Sequence, residues 1–114
     1  MTHFITKRLM GVMICAFSFV THTSVSAGET YTLTLKDHRF EPAQITIKAE
    51  TPATLIVKNL DAAPEEFESK PLRIEKIIPA NSEASFMIHA LKAGRYKFVG
   101  EFHEDSAKGE LIAE

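Results

Sequence analysis

Tyr31-Thr32-Leu33-Thr34-Leu35-Lys36 alternates apolar and polar side chains one residue at a time. A period of two places Tyr31, Leu33 and Leu35 on one face and the threonines and Lys36 on the other, as a half-buried β-strand requires and a helix of period 3.6 does not. The β-branched threonines favour the same extended backbone. Working outward, Ile45 and Ile47 alternate with Gln44, Thr46 and Lys48, and Thr54 to Asn59 (TLIVKN) forms a more continuously apolar strand. Pro42 and Glu50-Thr51-Pro52 punctuate these runs.

Further along, Phe86 and Ile88 alternate with Ser85, Met87 and His89, after the polar turn Pro79-Ala80-Asn81-Ser82-Glu83. Ala93-Gly94-Arg95 opens another strand whose apolar face is Tyr96 and Phe98, extending to Phe102. Glu110 to Ala113 closes the chain, and Arg73 to Ile78 supplies one more short strand. Short helical turns are expected at Pro64 to Glu68 and Glu104 to Lys108. About seven short strands separated by turn signals predict an all-β fold, an antiparallel Greek-key β-sandwich or barrel. The chain of 114 residues is long enough for one such core and too short for two lobes with a cleft between them.

The first 27 residues differ in character. Lys7 and Arg8 precede an apolar run from Leu9 to Val20, and Ser24-Val25-Ser26-Ala27 follows with small residues at Val25 and Ala27. This is the pattern of a secretory signal peptide, and the apolar run is shorter than the roughly 20 residues of a membrane span. The expected organisation is a leader over 1–27 and one secreted domain over 28–114. Cys15 is the only cysteine and falls in the leader, so the remaining domain has neither a disulfide nor a thiolate ligand. Residues 28–114 carry 11 Lys and Arg against 15 Asp and Glu. An acidic balance argues against nucleic acid, whose phosphates demand a basic surface. No Gly-rich phosphate loop, nucleophile elbow or Ser/His/Asp spacing is present, which leaves a conventional hydrolase without support.

Two segments concentrate ionisable chemistry. Glu65, Glu66 and Glu68 surround Phe67 after one strand, and Glu101, His103, Glu104 and Asp105 surround Phe102 after another. Loops at one end of a sandwich converge, so Phe67 and Phe102 would anchor the two segments and let Glu66 or Glu68 meet His103. Carboxylates with one imidazole suit a hard or borderline cation. Of the other histidines, His38 in Asp37-His38-Arg39-Phe40 is expected in a turn or on the surface, and His89 on the surface beside Met87.

Several motifs resemble the cupredoxins. Phe40-Glu41-Pro42-Ala43-Gln44-Ile45-Thr46-Ile47 is similar to that family's F-x-P-x-x-I-x-V opening, Asn59-Leu60-Asp61 to its N-x-D strand end, and Tyr96-Lys97-Phe98 through Gly109 to its ligand loop. PEEFES at 64–69, EKIIPANS at 75–82 and GRYKFVGEFHEDSAKGELIAE at 94–114 look more closely like the small periplasmic cupredoxin-like proteins encoded with bacterial ferrous-iron uptake systems. Such systems pair that component with a periplasmic iron-binding protein of the P19 type and a membrane high-affinity iron permease. The departures are equally informative. Glu65 or Glu66 stands where a blue-copper protein has its early histidine, Gly100 where it has cysteine, and Ser106 or Ala107 where it has the axial methionine; only His103 is retained. Without the thiolate a type 1 blue-copper centre is excluded.

The resemblance implies a periplasmic metal-binding accessory protein of ferrous-iron uptake, binding an iron or copper ion and assisting Fe(II) oxidation or delivery to the permease. The candidate ligands, in descending order, are His103, Glu66, Glu101, Glu68, Glu65 and Glu104. Whether the role is catalytic stays open at this point. A copper-binding or copper-delivery protein leaning on His38, Met87, His89 and His103, and a metal-free interaction module of the transport system, are the alternatives.

Overall fold

The structure is a computed structural model that describes residues 28–114 together with positions 15, 16 and 18; the leader expected over 1–27 otherwise lies outside the described residues. Among the described residues nine strands form two sheets: β1 (Thr30–Lys36), β2 (Arg39–Glu41), β3 (Gln44–Ile47), β4 (Ala53–Asn59), β5 (Glu65–Ser69), β6 (Ile74–Ile78), β7 (Ser82–Ile88), β8 (Gly94–Gly100) and β9 (Lys108–Ala113). One sheet runs β2-β1-β4-β7 and the other β3-β9-β8-β5-β6. The all-β sandwich read from the alternation is therefore the fold.

Two pairings depart from the antiparallel expectation: β1 with β4 and β3 with β9 are parallel. Parallel neighbours need a crossover. Here the chain leaves β2, contributes β3 to the opposite sheet and returns as β4 beside β1, so the crossover passes over the core between the sheets. That core is built from the inward positions of each strand. Leu33, Leu35, Leu55, Val57, Ile78, Ile88 and Leu111 are buried around three aromatic rings, with Phe40 edge-on to Phe67 at 5.8 Å and to Phe98 at 5.1 Å.

The helical turn expected at Pro64 to Glu68 is instead strand β5, hydrogen-bonded on one side to β6 and on the other to β8. Its inward positions are Glu65, Phe67 and Ser69, all buried. The alternation is genuine, but two of its three inward residues are polar, and a hydrophobicity pattern cannot register them. The second expected turn falls at Glu101–His103, as a short 3₁₀ segment three residues earlier than read, and β9 already begins at Lys108. Phe102 sits in that segment, is 47% exposed, and neither extends the face of β8 nor anchors the loop. No helix among the described residues is long and apolar enough to cross a membrane.

Candidate metal centre

Strand parity places the carboxylates. Phe67 lies opposite Gly100 and Glu68 opposite Val99 where β5 and β8 pair, so Glu65 reaches beyond the end of β8 and beneath the loop that follows it. The loop is closed by its own backbone: Gly100 N–H donates to Ala107 C=O at 2.7 Å, and Ala107 N–H donates to His103 C=O at 2.8 Å. Glu65 braces it from below. Its Oε1 accepts from Phe102 N–H at 2.8 Å and Glu66 N–H at 3.2 Å, while Oε2 lies 2.6 Å from His103 Nδ1. A buried carboxylate is tolerated when its oxygens are met by donors, and both oxygens of Glu65, 2% exposed, are so met.

Gly100 makes the room. A Cβ at that position would stand 2.7 Å from Glu65 Cδ and 2.7 Å from Ala107 Cβ. Its backbone is ordinary extended chain at φ −91°, so space and not dihedral freedom demands glycine. The Glu65 carboxylate thus occupies the ground into which any side chain at 100 would project.

A third element reaches the same place. Asp37 and His38, both at positive φ (51° and 56°), form the two-residue turn between β1 and β2. Two consecutive left-handed residues define a type I′ hairpin, matched to strand twist and ordinarily given to Asn or Gly. The turn is gripped by Asp61, whose Oδ1 accepts from Asp37 N–H at 2.7 Å and Oδ2 from His38 N–H at 3.0 Å. Burial alone would raise the Asp61 pKa, but these two backbone donors, with His38 and His103 nearby, hold it below the usual value. Asp61 N–H in turn donates to Asn59 Oδ1 at 3.0 Å, and the fully buried Asn59 amide donates to Ala63, Ile78 and Pro79 carbonyls. The Asn59-Leu60-Asp61 motif is therefore a bracket fixing the β1–β2 turn to the site. The His38 ring overlies the His103 ring with centroids 3.5 Å apart and planes inclined by 14°.

His38, Glu65 and His103 each offer a ligand atom within 4.8 Å of the others. Of the expected ligands, His103 and Glu65 thus come together. Glu66 and Glu68 have opposite parity and leave the core on the outer face, so the carboxylate beside His103 is Glu65 and not either of them. Glu66 joins Glu75 and Glu101 in a second, exposed cluster. There a hydrogen bond to Glu75, desolvation and the nearby Glu101 push the Glu66 pKa up to about 7, and a hydrogen bond to Glu101 raises that of Glu68. Glu104 lines an open depression on that face with Glu68, Glu101, Lys70 and Lys97. The soft copper set is divided. Met87 lies opposite Thr54 and His89 follows β7, whereas the site adjoins Asn59 at the other end of β4, five residues or roughly 17 Å away.

A family model described as a cupredoxin-like domain matches residues 9–113. The chain belongs to the cupredoxin-like domain family. This cupredoxin-like domain is 39% identical over 80 residues to an uncharacterized protein of Rickettsia prowazekii (strain Madrid E), a match spanning 70% of this chain and 64% of that relative. Its fold is similar to the metal binding domain of the Streptococcus pneumoniae D39 Cu(I)-exporting P-type ATPase CopA, with TM-score 0.68, 17% identity, and coverage of 76% and 87% of the two chains. It is also similar to auracyanin A, a "blue" copper protein from Chloroflexus aurantiacus, with TM-score 0.64, 15% identity, and coverage of 76% and 100%. These likenesses establish the sandwich. They do not transfer a ligand set, because this cupredoxin-like domain has Gly100 and Glu65 and no cysteine within residues 28–114.

Proposed function

We propose that this protein is a periplasmic cupredoxin-fold metal-binding accessory protein of ferrous-iron uptake, with iron bound at Glu65 and His103. The observation that carries the proposal is the buried Glu65 carboxylate set against the His103 imidazole at 2.6 Å. An anionic oxygen with an imidazole suits Fe(II) and stabilises Fe(III) still more, since a hard charged ligand gains most from the higher charge. The role is to hold iron during its oxidation or its handover to a membrane permease. Oxidation removes one electron from Fe(II), and the acceptor is a copper site on a periplasmic partner of the P19 type. Export by the leader over 1–27 and the resemblance of segments 64–69, 75–82 and 94–114 to iron-uptake components support the setting.

Copper is the second reading, favoured by the two imidazoles at the site and by the copper proteins that share the fold. Calorimetric titration of the purified protein with Fe(II), Fe(III) and Cu(II), repeated on Glu65→Gln and His103→Ala, decides between them. Iron binding lost in both variants supports the proposal. Copper binding alone, lost with His103, replaces iron by copper. No binding of any of the three at micromolar concentration would leave a metal-free interaction module, in which Glu65 serves only to brace the loop.

A further inference from the structure

The stacked histidines present a geometric conflict. An imidazole nitrogen donates its lone pair in the plane of its ring, toward an ion about 2.0–2.1 Å away. The His38 and His103 planes are within 14° of parallel with centroids 3.5 Å apart, so the rings lie one over the other. An ion in the plane of one ring is then about a ring's thickness out of the plane of the other. One ion cannot take lone pairs from both rings in this arrangement, although one nitrogen of each and a Glu65 oxygen lie within 4.8 Å of one another. The distances permit a three-ligand site, and the directions do not.

Only one ring is free to resolve the conflict. His103 is held by the closed loop on which it stands, and its 2.6 Å contact to Glu65 is the one an ion bound by both residues would replace. His38 is fixed through its backbone, clamped by Asp61, while its side chain is 42% exposed and its Nδ1 stands 3.5 Å from Asp61 Oδ2, longer than a good hydrogen bond. Its ring can therefore turn without disturbing the hairpin.

Resting on the metal-site reading above, we propose that His38 is a mobile third ligand. In the stacked arrangement its ring covers that of His103. When Glu65 and His103 capture a divalent cation of borderline character, His38 turns out of the stack and directs a nitrogen at the same ion. The stack and the complete ligand set are thus alternatives, and the ring that covers the site is the ring that completes it.

The test uses the whole protein with Zn(II), a diamagnetic probe, and NMR of the imidazole protons and nitrogens. The expected result is a nuclear Overhauser contact between the His38 and His103 rings without metal, its loss at saturation, and a ligation shift of a His38 ring nitrogen. Two variants separate covering from ligation. His38→Ala removes both functions, and His38→Phe keeps a stacking ring but no donor. Zn(II) affinity is expected to fall about tenfold or more in both, and further in His38→Phe than in His38→Ala. A ring contact that persists at saturation, or a His38→Ala protein that binds Zn(II) as tightly as the parent, overturns the mobile ligand and leaves binding at Glu65 and His103 intact. A parent protein that binds no Zn(II) overturns the mobile ligand together with the metal site.

Discussion

Replacing Gly100 by alanine adds one methyl group and tests how Glu65 is placed. The new Cβ would stand 2.7 Å from Glu65 Cδ, 2.7 Å from Ala107 Cβ and 2.9 Å from Glu65 Oε1, against the 3.4 Å at which ordinary contact begins. Either the loop or the carboxylate must yield by about 0.7 Å. Overpacking of this kind costs about 1–3 kcal/mol. Alanine recovers about 0.4–1 kcal/mol by restricting the unfolded chain, since φ −91° suits it without strain. The net expectation is a loss of about 1–2 kcal/mol, which lowers the Tm of a domain this size by roughly 5–15 °C. If the carboxylate is the part that yields, the His103 contact at 2.6 Å breaks, and the NMR contact between the Glu65 side chain and the His103 ring disappears. In a Glu65→Ala background one of the two clashes is gone, so the cost of Gly100→Ala should shrink; the coupling is read from thermal or urea melts of the four proteins. A Gly100→Ala protein that melts at or above the parent temperature with the Glu65–His103 contact intact would refute the claim that Gly100 exists to admit Glu65.

Three further expectations follow from particular residues. Asp61→Ala removes the acceptor of both turn N–H groups, so a loss of about 1–3 kcal/mol in urea melts is expected, with new mobility at Asp37 and His38 in amide spectra; unchanged melts would show that the turn needs no clamp. Glu66, whose pKa is raised from 4.5 to about 7 by its carboxylate neighbours, binds its proton more tightly folded than unfolded. Its contribution to stability is therefore present below pH 4.5 and is lost as pH rises through 7. The melting temperature should accordingly fall between pH 5 and pH 8, less so in added salt and less so in Glu66→Gln; a variant with the parent's pH profile refutes the assignment. Protein loaded with Cu(II) should lack the intense thiolate-to-copper absorption of a blue site, because no sulfur ligand is available in residues 28–114; an intense blue colour would contradict the ligand assignment.

The sequence alone determined the sandwich, because each core-facing strand writes its inward residues at every second position: Leu33 and Leu35, Leu55 and Val57, Tyr96 and Phe98, Leu111 and Ala113. It also determined that residues 28–114 supply no thiolate, since the single cysteine is Cys15 and Gly100 stands at the end of β8. Parity could have been read further. Once Phe67 is assigned to the core of a strand, Glu65 must share its side and Glu66 and Glu68 must take the other. What concealed it is that β5 turns two polar residues inward, and their burial is met elsewhere in the fold, by donors to the Glu65 carboxylate and by the Lys97 carbonyl that accepts from Ser69 Oγ. Those donors belong to tertiary structure: Phe102 N–H and the His103 ring come 37 and 38 residues after Glu65. His38 was invisible to spacing for the same reason. It stands 65 positions before the ring it covers, and only the Asp61 bracket, which ties the β1–β2 hairpin to the end of β4, brings the two imidazoles together. Local alternation is a property of the backbone's own period, whereas which charged groups meet is decided by how separate strands end against one another.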